Sequence, residues 1–187
     1  KELDISFAFI SDLSPLVGYQ NLELLNINNT QVEDLDPLEN LRSLQKIYAD
    51  NTFVSEEDIN NFIDENPKKL LVVNSEEISQ WWSNLSKQWK AVLEIHMEGS
   101  IVDIPQKEEL TKLLLKDSLN LNNWDLNDLT PLQKFSRLRY LSVSNNPINS
   151  LQPIEGLNAL SVLEAQNVGL KSVKSILRLK KLSKLNL

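Results

Sequence analysis

The residues best suited to chemistry are few. His96 is the sole imidazole, and cysteine is absent. Without thiols the chain has no disulfide, thiolate nucleophile, iron–sulfur ligand or cysteine-type zinc site. A single histidine also removes most histidine-rich metal sites and leaves any catalytic triad dependent on one residue. No serine or aspartate motif frames His96, which follows Trp89, Val92 and Leu93 at helical spacing. That spacing marks a neutral histidine in the core or at its edge. A hydrolase at this position would need an exposed imidazole in a cleft beside a nucleophile. The acidic pairs Glu56/Glu57, Glu76/Glu77 and Glu108/Glu109 imitate acid–base carboxylates. Each falls in the first turn of an expected helix, where the positive end of the macrodipole accounts for it. Calcium-loop, phosphate-loop and H-E-x-x-H patterns are missing. Trp81, Trp82 and Trp89 keep helical phase, which favours core packing over a stacking platform for a ligand. Asn28-Asn29-Thr30 and Asn84-Leu85-Ser86 match the glycosylation sequon, a common pattern. The expectation is therefore a protein with no catalytic residue, no metal site and no cofactor.

Bulk properties agree. The chain has 187 residues, 19 Lys+Arg against 26 Asp+Glu, and a formal charge of −7. That balance disfavours a general nucleic-acid or anionic-membrane binder. No apolar run reaches the roughly 18 residues of a membrane span. The sequence opens Lys-Glu-Leu-Asp, with neither Met nor a signal-peptide apolar region, which reads as a processed or cut edge.

What positions the side chains is a repeat. Leucine is about a fifth of the chain and asparagine about a tenth, an excess that directs attention to internal periods. Leu3, Leu25 and Ile47 recur in step, followed by Ile5, Ile27 and Ala49, and by Ile10, Val32 and Val54. Leu119, Leu141, Leu163 and Leu185 form a second array in the same period. The unit running from Leu22 to Leu41 reads as a short strand over residues 22–28 with aliphatics inward. An Asn/Thr turn follows, then a return in which Pro37 fixes φ and stops another ladder strand. One unit cannot bury its apolar face alone; stacked units make a continuous core and a parallel sheet.

The segments Asp12-Leu-Ser-Pro-Leu16, Asp34-Leu-Asp-Pro-Leu38, Asp128-Leu-Thr-Pro-Leu132 and Ser150-Leu-Gln-Pro-Ile154 fall in phase. They accompany L-x-x-L-x-L cores at Leu22/Leu25/Ile27, Leu138/Leu141/Val143 and Leu160/Leu163/Ala165. In these residues the chain resembles bacterial leucine-rich repeat proteins of the internalin-like subtype, over residues 1–54 and 116–187. The family's buried turn asparagine is matched only by Asn146. Thr30 and Thr52 can hydrogen-bond the turn backbone, whereas Ala8, Trp124 and Val168 cannot, so some turn amides need other partners. The resemblance implies a bacterial binding protein, secreted or on the cell surface.

Residues 55–115 break the phase. Ser55 followed by Glu56-Glu57-Asp58 starts a helix with Ile59, Phe62 and Ile63 inward, and Asn66-Pro67 ends it. Lys69-Leu-Leu-Val-Val73 reads as one more rung of the first array. Further helices begin at Ser75 and Pro105, and a third carries Trp89 to His96 and is broken by Gly99-Ser100. They are expected to cap sheet edges that would otherwise lie unpaired. The expected fold class is α/β: a leucine-rich repeat solenoid in two short arrays, 1–74 and 116–187, joined by a mainly helical segment, 75–115.

Strand alternation turns a polar set outward: Asp4, Ser6, Asn26, Asn28, Tyr48 and Asp50 in the first array, then Asn120, Asn122, Ser142, Ser144, Glu164, Gln166 and Asn186 in the second. Leu24, Lys46, Tyr140 and Val162 flank them. A face of Asn, Ser and acid with sparse Tyr suits adaptable protein recognition. The candidate contacts for a protein partner on this concave sheet face are Asn26, Asn28, Tyr48, Asp50, Tyr140, Ser142, Ser144, Glu164 and Gln166. The alternative is a structural module that self-associates through open array ends. It draws on the charge distribution: net −6 over residues 1–54, −6 over 55–118 and +5 over 119–187.

Overall fold

A computed structural model describes residues 1–97 and 104–187. The periodic aliphatics fall on strands of three residues. β1 (Glu2–Asp4), β2 (Leu24–Asn26), β3 (Lys46–Tyr48) and β4 (Leu70–Val72) form one parallel sheet in chain order. β5 (Ser118–Asn120), β6 (Tyr140–Ser142), β7 (Val162–Glu164) and β8 (Lys184–Asn186) form the second. The register is the one the period demands. Leu3 pairs with Leu25, Leu25 with Ile47, and Ile47 with Leu71. Leu119, Leu141, Leu163 and Leu185 pair in turn across the second sheet. The strands are shorter than residues 22–28 suggested, but the ladder continues past them, as in Ile27 N–H to the Tyr48 carbonyl at 2.9 Å. The chain is thus built of leucine-rich repeats, and Lys69–Val73 supplies the expected fourth rung.

The return of each coil is a 3-10 turn, at Ser14–Leu16, Asp36–Leu38, Thr130–Lys134, Gln152–Ile154 and Lys174–Arg178. The Asp-Leu-x-Pro-Leu pattern now has a cause. The Asp34 carboxylate accepts from the Asp36 N–H at 2.8 Å, and Asp12 and Asp128 do the same for Ser14 and Thr130 at 2.8 and 3.0 Å. Proline then occupies the next position, where its missing N–H costs nothing.

Just after β2, β3, β5, β6 and β7 the backbone turns left-handed. Asn29, Asn51, Asn123, Asn145 and Asn167 all have φ between 53° and 63°, a region asparagine tolerates better than most residues. Their side chains join coil to coil: Asn51 to Asn29 at 3.0 Å, and Asn167 to Asn145 to Asn123 at 2.9 Å each.

Four helices interrupt the coils: α1 (Glu56–Glu65), α2 (Ser75–Asn84), α3 (Lys87–Glu94) and α4 (Lys107–Leu114). Ser55 Oγ accepts from the Asp58 N–H and Ser86 Oγ from the Trp89 N–H, each at 3.1 Å, which fixes the starts of α1 and α3. α4 begins after Pro105 rather than on it. Gln106 stays extended as the cap residue, and its N–H is held by Glu109 Oε2 at 2.7 Å. α3 ends at Glu94, so His96 sits in the following turn. The expected break at Gly99-Ser100 lies outside the described residues.

The chain packs as two compact units, 1–79 and 80–187. In the first, Leu25, Ile27, Leu38, Ile47 and Leu71 are buried with Phe62 of α1. In the second, Leu121, Phe135, Leu141, Val143 and Leu163 are buried, as are Trp89, Val92 and Leu93 of α3 and Leu110 and Leu113 of α4. Burying such side chains contributes about 1.5–3 kcal/mol each.

Candidate functional site

Alternation along the strands places the polar residues on the open face of each sheet. In the first unit most of their polar atoms are engaged with one another. Asp4 accepts from Ser6 Oγ at 2.6 Å, from the Ser6 N–H at 2.9 Å and from Asn26 Nδ2 at 3.0 Å. These bonds hold its carboxyl below the usual aspartate range, Ser6 contributing most. Asn28 Oδ1 accepts from the Asp50 N–H at 2.7 Å. Asp50 in turn takes the Ser75 N–H at 2.8 Å on one oxygen and the Ser75 hydroxyl at 2.6 Å on the other. It therefore anchors the start of α2. Lys46 Nζ lies 5.7 Å from the Tyr48 ring centroid, within cation–π range.

The second unit presents a charged cluster. Tyr140 donates its hydroxyl to Glu164 Oε2 at 2.9 Å, and Lys184 Nζ stands 3.3 Å from Glu164 Oε1. The Tyr140 bond, then Lys184, lowers the Glu164 carboxyl below its ordinary value, while the same bond raises the Tyr140 phenol. Beneath lies a ladder of small side chains. Ser142 Oγ donates to Asn122 Oδ1 at 2.8 Å, and the Ser144 N–H donates to that oxygen at 2.6 Å. The Gln166 N–H donates to Ser144 Oγ at 3.0 Å. Ser142 and Ser144 are 0% and 7% exposed, so they support the face from below. Gln166 Nε2 reaches Asn186 Oδ1 at 3.3 Å.

The sheet positions thus bring Tyr140, Glu164 and Lys184 together on adjacent rungs, and separately Asp4, Asn26, Asn28 and Asp50. Sequence reasoning missed that a side chain at one phase, Asn28, Asn122 or Ser144, accepts the N–H of the residue 22 positions on. The recurrence of short acceptors at that phase was the available signal. It also missed a cleft of about 230 Å³ in the first unit, walled by Asp36, Glu39, Asp58 and Glu65. Crowding there lifts the Asp36 carboxyl, chiefly through Asp34. Burial first, then the bond with Glu65, lifts Glu39.

The remaining candidates resolve locally. Asn146, 2% exposed, accepts from the Trp124 and Leu126 N–H groups at 3.1 and 2.9 Å. Its amide nitrogen donates to the Leu121, Val143 and Ser144 carbonyls at 2.8, 2.8 and 3.2 Å. The turn amide at Trp124 thereby finds its partner in the next coil. His96 is half-buried, and its Nε2 meets the Asn120 carbonyl at 3.0 Å. A carbonyl only accepts, so Nε2 carries the proton. Burial lowers the pKa of His96, and the imidazole closes an edge carbonyl of β5 as a neutral group. Among the described residues no three His, Asp or Glu side chains gather as a metal-binding group, and no helix is long and apolar enough to cross a membrane.

No protein-family model and no curated protein matches the chain. Solved structures do resemble it. The internalin InlF of Listeria monocytogenes is 19% identical with a TM-score of 0.36, over 98% of this chain and 46% of that one. Internalin C2 of the same organism is 18% identical with a TM-score of 0.39, over 98% and 69%. A leucine-rich repeat protein of Leptospira interrogans is 21% identical with a TM-score of 0.36, over 100% and 42%. The chain therefore spans under half the length of the first and third. Likeness at this level adds nothing to the fold, which stands on the strand register.

Proposed function

We propose that this leucine-rich repeat chain is a non-catalytic module that binds a protein partner through the concave sheet face. The observation that carries the reading is the Tyr140–Glu164–Lys184 cluster: a phenol and an ammonium each bound to the carboxylate between them, across three successive rungs. Preorganised side chains lose little freedom on binding, and tyrosine supplies contact area with only two torsions to fix. Tyr48, Asn26, Asn28 and Asp50 extend the contact set on the first sheet, and Gln166 on the second. Ser142 and Ser144 act from below by holding Asn122 and the Gln166 backbone.

The test is affinity selection against a library of extracellular proteins, followed by solution affinities of Tyr48→Ala and Tyr140→Ala for the selected partner. At least one is expected to weaken binding about 30-fold or more, while Gln152→Ala on a 3-10 turn leaves it unchanged. Full binding by both tyrosine variants would refute the sheet face as the site. The assembly alternative is favoured by the opposite charges of the early and late segments, −6 and +5. It predicts a mass by light scattering that rises at low salt and falls at high salt; a constant monomer mass removes it.

A further inference from the structure

A second concavity in the unit spanning 80–187 contains no strand residue. It is a cleft of about 600 Å³ walled by the end of α2, the start of α3 and the segment around the 3-10 turn Thr130–Lys134. Half-buried Trp81 gives it indole surface, backed by the largely buried Trp89; Asn84, Asn127 and Gln133 contribute side-chain amides, and Asp128 a carboxylate. These three amides are on exposed residues and have no protein partner among the described residues. Asp128 uses one oxygen to accept from the Thr130 N–H and hydroxyl, at 3.0 and 2.7 Å, which leaves the other open. Trp81 is wedged 6.0 Å from the Phe135 ring, edge-on, and 6.2 Å from Trp82. Its indole N–H is buried without an acceptor, a state that native proteins seldom leave unexplained.

The lining selects a chemistry. Side-chain amides donate and accept at once, which is what a run of hydroxyl groups requires of its partners. Indole surface excludes water and takes an apolar face. Asp128 and Lys134 balance one another in the wall, so neither a polyanion nor a basic peptide meets an excess of opposite charge. The volume lies in the range of small-ligand sites. We propose that this cleft binds the end of a neutral oligosaccharide. A pyranose ring lays its C–H face on the indole wall and directs its hydroxyls to Asn84, Asn127, Gln133 and Asp128. The proposal is independent of the sheet-face reading.

All four tryptophans, Trp81, Trp82, Trp89 and Trp124, belong to this unit, so intrinsic emission reports on it directly. The probes are cellotriose, maltotriose and triacetylchitotriose, each titrated to about 10 mM, a range that captures the weak affinities of small polar ligands. At least one is expected to shift the emission saturably. The exposed double variant Asn127→Ala/Gln133→Ala should weaken that response about tenfold, since each substitution removes a hydrogen-bonding group, with an unchanged far-ultraviolet spectrum. Three flat titrations overturn the proposal. So does a response of equal affinity in the double variant, or saturation by a neutral proline-rich peptide in place of all three sugars.

Discussion

In the first array Thr30 and Thr52 each close a turn with one bond, hydroxyl to the carbonyl three residues back, at 2.7 and 3.1 Å. In the second array Asn146 closes the equivalent turn with five, three of them to the coil before it. The outer faces differ in the same spirit. Asp50 is bound on both oxygens by Ser75, so the acid of the first face serves the architecture. Glu164 shares its oxygens with the exposed-side groups Tyr140 and Lys184. Equivalent inward aliphatics therefore leave the polar positions free to diverge: one array uses them to tie in a helix, the other to hold charge in view.

The sharpest way to break this comparison is at the turns. Asn146→Ala strands two buried N–H groups and three carbonyls and is expected to destabilise the second unit by about 3–5 kcal/mol. Thr30→Val removes one bond and should cost the first unit about 1 kcal/mol. Urea unfolding followed by tryptophan emission for the second unit, and by tyrosine emission of a Trp-to-Phe background for the first, reads both. Equal losses would mean that asparagine and threonine are interchangeable here.

A smaller effect is expected at Asp50. Asp50→Ala deprives the first turn of α2 of its carboxylate, at a cost of about 1–2 kcal/mol. Faster hydrogen exchange at the Ser75 amide checks it. Unchanged exchange would show that the acid faces outward for another purpose.

The least pronounced difference is with pH. Asp36 and Glu39 have pKa values above the ordinary carboxylate range, so the folded first unit holds protons more tightly than the unfolded chain. Around these two groups stability rises as pH falls, with Lys69 opposing the effect at Glu39, while Asp4 and Asp12, held low by Ser6 and Ser14, act in the opposite sense elsewhere in the unit. His96 titrates below its ordinary 6.5, through burial and then the nearby Lys116. The unfolded chain takes that proton first, so the second unit loses stability as pH falls through about 6.5. Exchange rates of protected amides at pH 7.5 and 5.5, corrected for intrinsic rates, should move in opposite directions around Asp36 and Glu39 and around His96. Parallel movement would disprove the assignment.

Much of the architecture was legible. Aliphatic phase alone placed Leu25, Ile47, Leu141 and Leu163 on neighbouring rungs, because one face of each rung must be dry. Lys69–Val73 was recognisable as a rung despite its irregular spacing, since a buried strand reads as an unbroken apolar run. Ser55 and Glu56-Glu57 announced a helix start through capping chemistry. The site was less legible for a physical reason. Alternation tells which side a residue faces and not how deep it lies. Ser142 shares a face with Tyr140 and Glu164 but is shorter, so its neighbours cover it. Nor does a period reveal which oxygens are taken: Asp50 looks as open as Glu164 until α2 is in place. His96 was read as lying in the core or at its edge; it is half-buried, its helix stops at Glu94 and the turn carries it.

The file of left-handed asparagines has a practical corollary. Asn123, Asn145 and Asn167 each reach only the adjacent coil, always 22 residues away. Excising one whole coil would bring two of these amides into the same juxtaposition that the third now occupies, and grafting in a copy would lengthen the file without a seam. A cut of any other length would leave the amides out of step. The protein can thus be resized only in quanta, with the asparagines acting as the ruler.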